Sequence, residues 1–178
     1  MEITIKKGNH LSNQLSLPRL CLFSNGQIVT KVKFTKSCRY DVGKEQKDWH
    51  KLMGASWGFF PLILSYMMHE DSSRFGWRYN PKTDKIELSP YFYIKGKRHY
   101  AETLNIEPAI LNLEEEYEVI ITPFLKKVIY TVNNSEGRCI FRCEADQHVI
   151  ACYGWLAPGY FGGTPTAPHN INYELTYL

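Results

Sequence analysis

The stretch Ser73–Lys97, SRFGWRYNPKTDKIELSPYFYIKGK, decides the fold. Asn80, Pro81, Lys82, Thr83 and Asp84 are turn formers, and Pro81 sets φ at the corner. Folding the two arms around this turn with Tyr79 opposite Ile86 gives the remaining pairs by counting. Trp77 then faces Leu88 and Phe75 faces Pro90 on one side. On the other side Arg78 faces Glu87, Gly76 faces Ser89 and Arg74 faces Tyr91. Side chains alternate across a strand, so the hairpin carries one apolar face and one polar face. That is the make-up of one wall of a two-sheet sandwich. The polar face, with Arg74, Arg78, Glu87, Tyr91 and Tyr93, is the candidate ligand-binding surface. Gly76, between the two arginines, is expected to leave bare backbone that a flat ligand can approach.

The flanking sequence extends the same pattern. Ile3 and Ile5 alternate with Glu2, Thr4 and Lys6. Pro18 confines Leu17–Phe23 to a sheet edge, Asn25-Gly26 is a hairpin turn signal, and Val32 and Phe34 alternate with lysines. Leu52–Phe60 reads as a buried strand, whereas the apolar run Phe60–Met68 fits strand or helix equally. Lys95-Gly96-Lys97 turns into an extended Arg98–Leu104. Glu118–Phe124 is apolar on both faces and belongs at a sheet centre, with Lys127–Val132 following it. Arg138–Cys143 and His148–Tyr153 form a further hairpin around Glu144–Gln147. Ile171, Tyr173, Leu175 and Tyr177 share one face of a last strand that pairs with the first. About ten to twelve short strands with regular turns predict an all-β fold, a two-sheet antiparallel β-sandwich spanning residues 1–178 as one domain.

Composition narrows the function classes. The 178 residues carry a net charge of +3, too small and too dispersed to argue for nucleic acid. The 12 Tyr, 9 Phe and 4 Trp suit strands first and sugar-stacking platforms second. No apolar run is long enough to span a membrane, and MEITIKKG reads as a strand with no leader pattern. Five cysteines, an odd number without framework spacing, favour reduced thiols and a cytoplasmic setting.

Cys139, Cys143, His148 and Cys152 imitate a zinc spacing. A zinc site, however, needs four donors converging at about 2.0–2.3 Å. Cys139 and Cys143 on one strand stand roughly 13 Å apart, so these cysteines are expected to be small apolar fillers. No metal and no cofactor is expected.

Glu114-Glu115-Glu116 reads as a solvated loop, and Glu87 as the partner of Arg78. No second acid stands at a predictable distance, so paired-carboxylate hydrolysis is not assembled. His50, His69, His99 and His169 fall near strand or loop ends. His69 with Arg74 and Tyr91 or Tyr93 supplies the residue types of a β-eliminating polysaccharide lyase. No catalytic residue is assigned.

KVKFTKSCRYDV, DWHKLMG, the His69 and SSRFGWRYNPKTDKIEL segment, and YFGGTPTAPHNI together resemble a Bacteroidetes-type group of uncharacterised bacterial proteins. The Tyr160–His169 segment is also similar to a motif near the last strand of concanavalin A-like (lectin/glucanase) jelly-roll domains. The resemblance implies a curved sheet whose concave side binds glycans in better-known relatives. It brings no activity, and the acidic pair of jelly-roll glucanases is missing. The expected function is non-catalytic binding of a carbohydrate or another polar ligand. The alternatives are an assembly protein without a small ligand and a polysaccharide lyase or hydrolase. Oligomeric state is left open.

Overall fold

In the folded chain Tyr79 faces Ile86, Trp77 faces Leu88, Phe75 faces Pro90, Arg78 faces Glu87 and Arg74 faces Tyr91, the register counted from the turn. The structure is a computed structural model, and it describes residues 1–13, 19–22, 26–57, 69–124, 126–147, 153–156 and 158–178. Among these residues the strands are β1 (Glu2–Ile5), β2 (Arg19–Leu22), β3 (Ile28–Phe34), β4 (His50–Trp57), β5 (Ser72–Asn80), β6 (Lys85–Ile94) and β7 (Lys97–His99). They continue with β8 (Ala109–Leu111), β9 (Glu116–Phe124), β10 (Lys127–Asn133), β11 (Cys139–Asp146), β12 (Tyr153–Leu156) and β13 (Ile171–Tyr177). A short α-helical turn, α1, spans Ala101–Leu104.

The strands form two antiparallel sheets, a β-sandwich in jelly-roll style. The first runs β1-β13-β3-β9-β10-β11, and the second runs β2-β12-β4-β5-β6-β7 with β8 also on β6. β1 lies beside β13 with Glu2 opposite Glu174, so the terminal strands pair as read from the sequence. β2 is a sheet edge, as Pro18 requires, and β9 is central between β3 and β10. No helix among the described residues is long and apolar enough to cross a membrane.

Alternation sends one face of each sheet inward. Ile3, Val32, Phe34, Val119, Tyr130 and Tyr173 of the first sheet meet Met53, Phe75, Trp77, Leu88 and Phe92 of the second in one buried cluster. Trp77 is wholly buried, with Phe34 at 5.2 Å and Tyr173 at 6.1 Å between ring centroids. Phe75 meets Tyr130 edge-on at 5.4 Å. Interlocked aromatic rings of this kind add to the gain from burial itself.

Several sequence expectations give way to tertiary contacts. The extended run Arg98–Leu104 stops at His99. Tyr100 N–H donates to Thr103 Oγ1 at 2.8 Å and Asn105 takes φ of 53°, so a tight helical turn replaces the strand. β11 and β12 are not a hairpin, since they belong to different sheets. The reason is Gln147, which is buried. Its Nε2 donates to Ser72 O at 2.9 Å and Tyr93 O at 3.2 Å, and its Oε1 accepts from Ser73 Oγ at 2.7 Å. One amide thus ties the end of β11 to the second sheet.

β2 and β3 likewise sit in different sheets, so no hairpin forms across Asn25-Gly26, of which Asn25 lies outside the described residues. All of Phe60–Met68, with His148 and Cys152, also lies outside them. Cys38 is buried and its thiol pushed up by burial. Cys139 is exposed and Cys143 half-buried on the outermost strand, so the expectation of apolar fillers fails for Cys139.

Trp77→Ala is expected to lower stability by about 3–5 kcal/mol, because a large ring leaves a void in a close-packed interior. Chemical denaturation reads this directly, and a loss below about 1 kcal/mol would place Trp77 outside the core.

Candidate functional site

The outer face of the second sheet gathers the chain's most unusual polar groups. β5 supplies Arg74 and Arg78, β6 supplies Glu87, Tyr91 and Tyr93, β4 supplies Lys51 and β7 supplies Arg98. The five residues expected from the sequence therefore share one face. The structure divides them into two neighbourhoods.

The first neighbourhood is a closed bracket. Arg78 Nε donates to Glu87 Oε2 at 2.7 Å, and its Nη1 donates to Glu102 Oε1 at 2.6 Å and Lys47 O at 3.0 Å. The guanidinium lies 4.2 Å from the Trp49 ring centroid. Trp49 Nε1 donates to the other oxygen of Glu102 at 2.9 Å, and Asn80 Nδ2 donates to Glu87 Oε1 at 2.7 Å. Every group here is engaged by another. The bracket clamps α1 across part of the face, where Ala101 packs with Trp49, Tyr91 and Tyr93. A neighbouring cleft of 340 Å³ beside the hairpin turn borrows Arg78, Asn80 and Glu87 for its lining.

The second neighbourhood is cationic and rich in tyrosine. Its floor is Arg74, Tyr91 and Tyr93, only 2%, 3% and 9% exposed. Gly76 leaves no bare backbone beside them, since a Cβ there would stand 3.1 Å from Cβ and Cδ2 of Tyr91. Gly54 makes room for Arg74. At φ of 146° its missing Cβ would lie 2.5 Å from Arg74 Cα and 2.2 Å from Ser73 O, so only glycine fits.

The accessible rim is Lys51, His69, Arg98, Tyr100 and Tyr160. Lys51 Nζ donates to His69 Nε2 at 3.0 Å and stands 5.1 Å from the Tyr160 ring centroid. His69 stacks on Tyr93 at 5.1 Å, and the Tyr91 and Tyr93 hydroxyls meet at 3.4 Å. Arg98 lies over Tyr100 at 5.0 Å, and Tyr100 stacks on Tyr91 at 6.4 Å.

Tyr160 owes its place to the buried His50. Gly162 N–H donates to His50 Nδ1 at 2.8 Å, Phe161 stacks on the imidazole at 3.7 Å, and His50 Nε2–H donates to the Tyr40 hydroxyl at 2.7 Å. With Phe161 and Gly162 so fixed, Tyr160 bonds the Lys51 backbone in both directions, at 2.8 and 2.9 Å.

Charge is unbalanced in this neighbourhood. Burial, then Arg74 and Arg98, draws the Lys51 ammonium down to about 7. Burial, then Lys51 and Arg74, lowers His69. Burial takes Arg74 down to about 10, partly offset by Tyr91 and Tyr93, and it stays charged at neutral pH. The ion pairs of the described residues engage Lys31, Lys33, Arg39, Arg78, Lys127 and Arg142, and neither Lys51 nor Arg98 is among them.

Sequence reading placed Arg74, Tyr91 and Tyr93 on the face but missed Lys51, Arg98, Tyr100 and Tyr160. Lys51 was hidden by a bulge at Leu52, where the β4–β5 register shifts. Tyr160 was hidden because its partner, Lys51, is remote in sequence.

No family model and no curated protein matches this sequence. The Bacteroidetes-type resemblance therefore finds no counterpart there. Solved structures do match. A functionally unknown protein from Saccharomyces cerevisiae aligns over 99% of this chain and 88% of its own, at 10% identity and a TM-score of 0.50. The fold is shared; the sequence is not. The CBM2 module of the evolved Dit of Lactobacillus casei BL23 phage J-1 aligns over 99% of this chain, at 12% identity and a TM-score of 0.44. This chain spans 66% of that one. The carbohydrate-binding module CBM66 from Bacillus subtilis aligns over 93% of this chain and 75% of its own, at 8% identity and a TM-score of 0.41.

Lys51 gives a pH signature. Its folded value of about 7 lies below the ordinary 10.5, so between those values the unfolded chain holds a proton that the folded chain has released. Stability from this group then rises with pH across that window, and its cost is largest below pH 7. Lys51→Met is expected to raise the denaturation midpoint clearly at pH 6 and less at pH 9. An equal change at both pH values would show that Lys51 titrates normally.

Proposed function

We propose that this chain is a carbohydrate-binding β-sandwich module that holds a glycan, without cleaving it, on the outer face of its second sheet. The observation that carries this reading is the alternation of tyrosine rings with fixed donors around one patch. Tyr100 and Tyr160 are half-buried rings, stacked by Tyr91 and His10 respectively, Lys51 and Arg98 lie against them, and Tyr91, Tyr93 and Arg74 make a rigid floor. Sugars present apolar ring faces and hydroxyl edges together, and a site for them needs flat aromatic surface beside a few immobile polar groups. Arg78 and Glu87 serve as the clamp that holds α1, and through it Tyr100, in place. We read the sandwich as concanavalin A-like, supported by the two-sheet order and the pairing of the terminal strands.

A second reading is favoured by one observation: Arg74, Lys51, His69 and Tyr93 stand together. In β-elimination from a uronate, a cation neutralises the carboxylate and a base removes the proton on the adjacent carbon. The electron pair of that C–H bond forms a carbon–carbon double bond, and the glycosidic oxygen leaves with a proton from an acid such as tyrosine. Absence of the unsaturated product's ultraviolet absorbance after incubation with polyuronates separates binding from this chemistry.

A glycan array on the full chain, followed by titration, tests the first reading. Tyr100→Ala and Tyr160→Ala are each expected to weaken the glycan found by at least about ten-fold, near 1.4 kcal/mol, with an unchanged denaturation midpoint. Retention of the array signal in both variants would overturn the proposed face.

A further inference from the structure

Resting on the carbohydrate reading, we infer that the sugar taken by this face is anionic, its acidic group received between Lys51 and Arg98 above the Arg74 floor. The argument is a charge balance. Several cations elsewhere are answered from within: Lys31 meets Glu116, Arg39 meets Asp84, Lys127 meets Glu144, and Arg78 meets both Glu87 and Glu102. Lys51 differs from the unpaired surface lysines in being drawn in among Arg74, His69 and Arg98. All 18 Asp and Glu of the chain fall within the described residues, and none forms an ion pair with Lys51 or Arg98.

Among the described residues the groups facing Lys51 are cationic or neutral. They are His69 from the turn before β5, Arg74 from β5, Arg98 from β7 and Tyr160 from the segment after β12. A cluster of like charges at a half-buried position is repulsive and stands at a cost in stability. An anion brought in by the ligand removes that cost and gains charge-assisted hydrogen bonds. Arg98 lies against Tyr100 and Lys51 against Tyr160, so the acidic group sits beside the half-buried tyrosines of the site. A neutral sugar would leave the repulsion in place. The anion is a carboxylate or a sulfate ester, which share this chemistry.

Binding of four probes to the full chain tests the inference: polygalacturonate oligomers, the same oligomers methyl-esterified, a sulfated galactan and a neutral galactan. The esterified oligomer keeps the ring and removes the charge. Affinity for the acid is expected to exceed that for the ester by ten-fold or more. Lys51→Met and Arg98→Met are each expected to bring the ratio of acid to ester affinity down to about one, while Lys31→Met, outside the site, leaves that ratio as it is in the native chain. Lys51→Arg, which keeps its charge at every working pH, should hold its affinity at pH 8, where the native chain weakens. If sulfated galactan exceeds neutral galactan in the same way, and polygalacturonate does not exceed its ester, the anion is a sulfate ester. Equal affinity within both charged and neutral pairs would overturn the inference and leave the carbohydrate reading standing. Binding of none of the four, together with an empty glycan array, would overturn both.

Discussion

Arg74 is a guanidinium almost wholly withdrawn from water, and the second sheet is arranged around keeping it there. Period-two alternation leaves no choice about its direction: with Phe75 and Trp77 committed to the interior, Arg74 must leave on the other face. A cation so placed loses hydration that only polar neighbours can replace. β4 comes close because Gly54 has no side chain, and β6 lays Tyr91 and Tyr93 alongside. The tyrosines offset the cost in part, since burial is still the larger influence on Arg74. Lys51 and His69 are lowered by burial first and, beyond that, by the same charge. The electrostatic character of the face therefore starts from one alternation rule applied to one strand.

The bracket around Arg78 shows a different use of the same residue type two pleat repeats away. There two carboxylates, an indole ring and a backbone carbonyl surround the guanidinium, and nothing is left over. Two arginines on one strand thus part ways by their company: one locks a structural element, the other charges a surface. Composition alone does not distinguish them.

What the sequence disclosed follows the range of the interactions. The β5–β6 hairpin was legible to the residue because its turn, its alternation and the Arg78–Glu87 pair are local and agree with one another. The terminal pairing was legible from two strand-like ends. The passage of the chain from β11 to the other sheet was not, because it hangs on Gln147, a single amide bonded to residues far away in sequence. α1 was missed because Arg98–Leu104 has no period of its own and is decided by a Thr103 hydroxyl and a left-handed Asn105. The floor of the site could be read from one hairpin. Its rim joins four separate stretches of chain, and a bulge at Leu52 concealed which way Lys51 points.

Among the described residues β11 ends the first sheet, with a row of backbone donors and acceptors that no described strand covers. Such a border is where foreign strands add on and where aggregation begins. Here it carries Arg142 and Glu144, both largely exposed, and the pairing with β10 is broken by a bulge at Val132–Asn133. Formal charges and a local kink make a poor template for a flat incoming strand. The border is protected by its own chemistry, and exposed Ile140 does not turn it into an adhesive one.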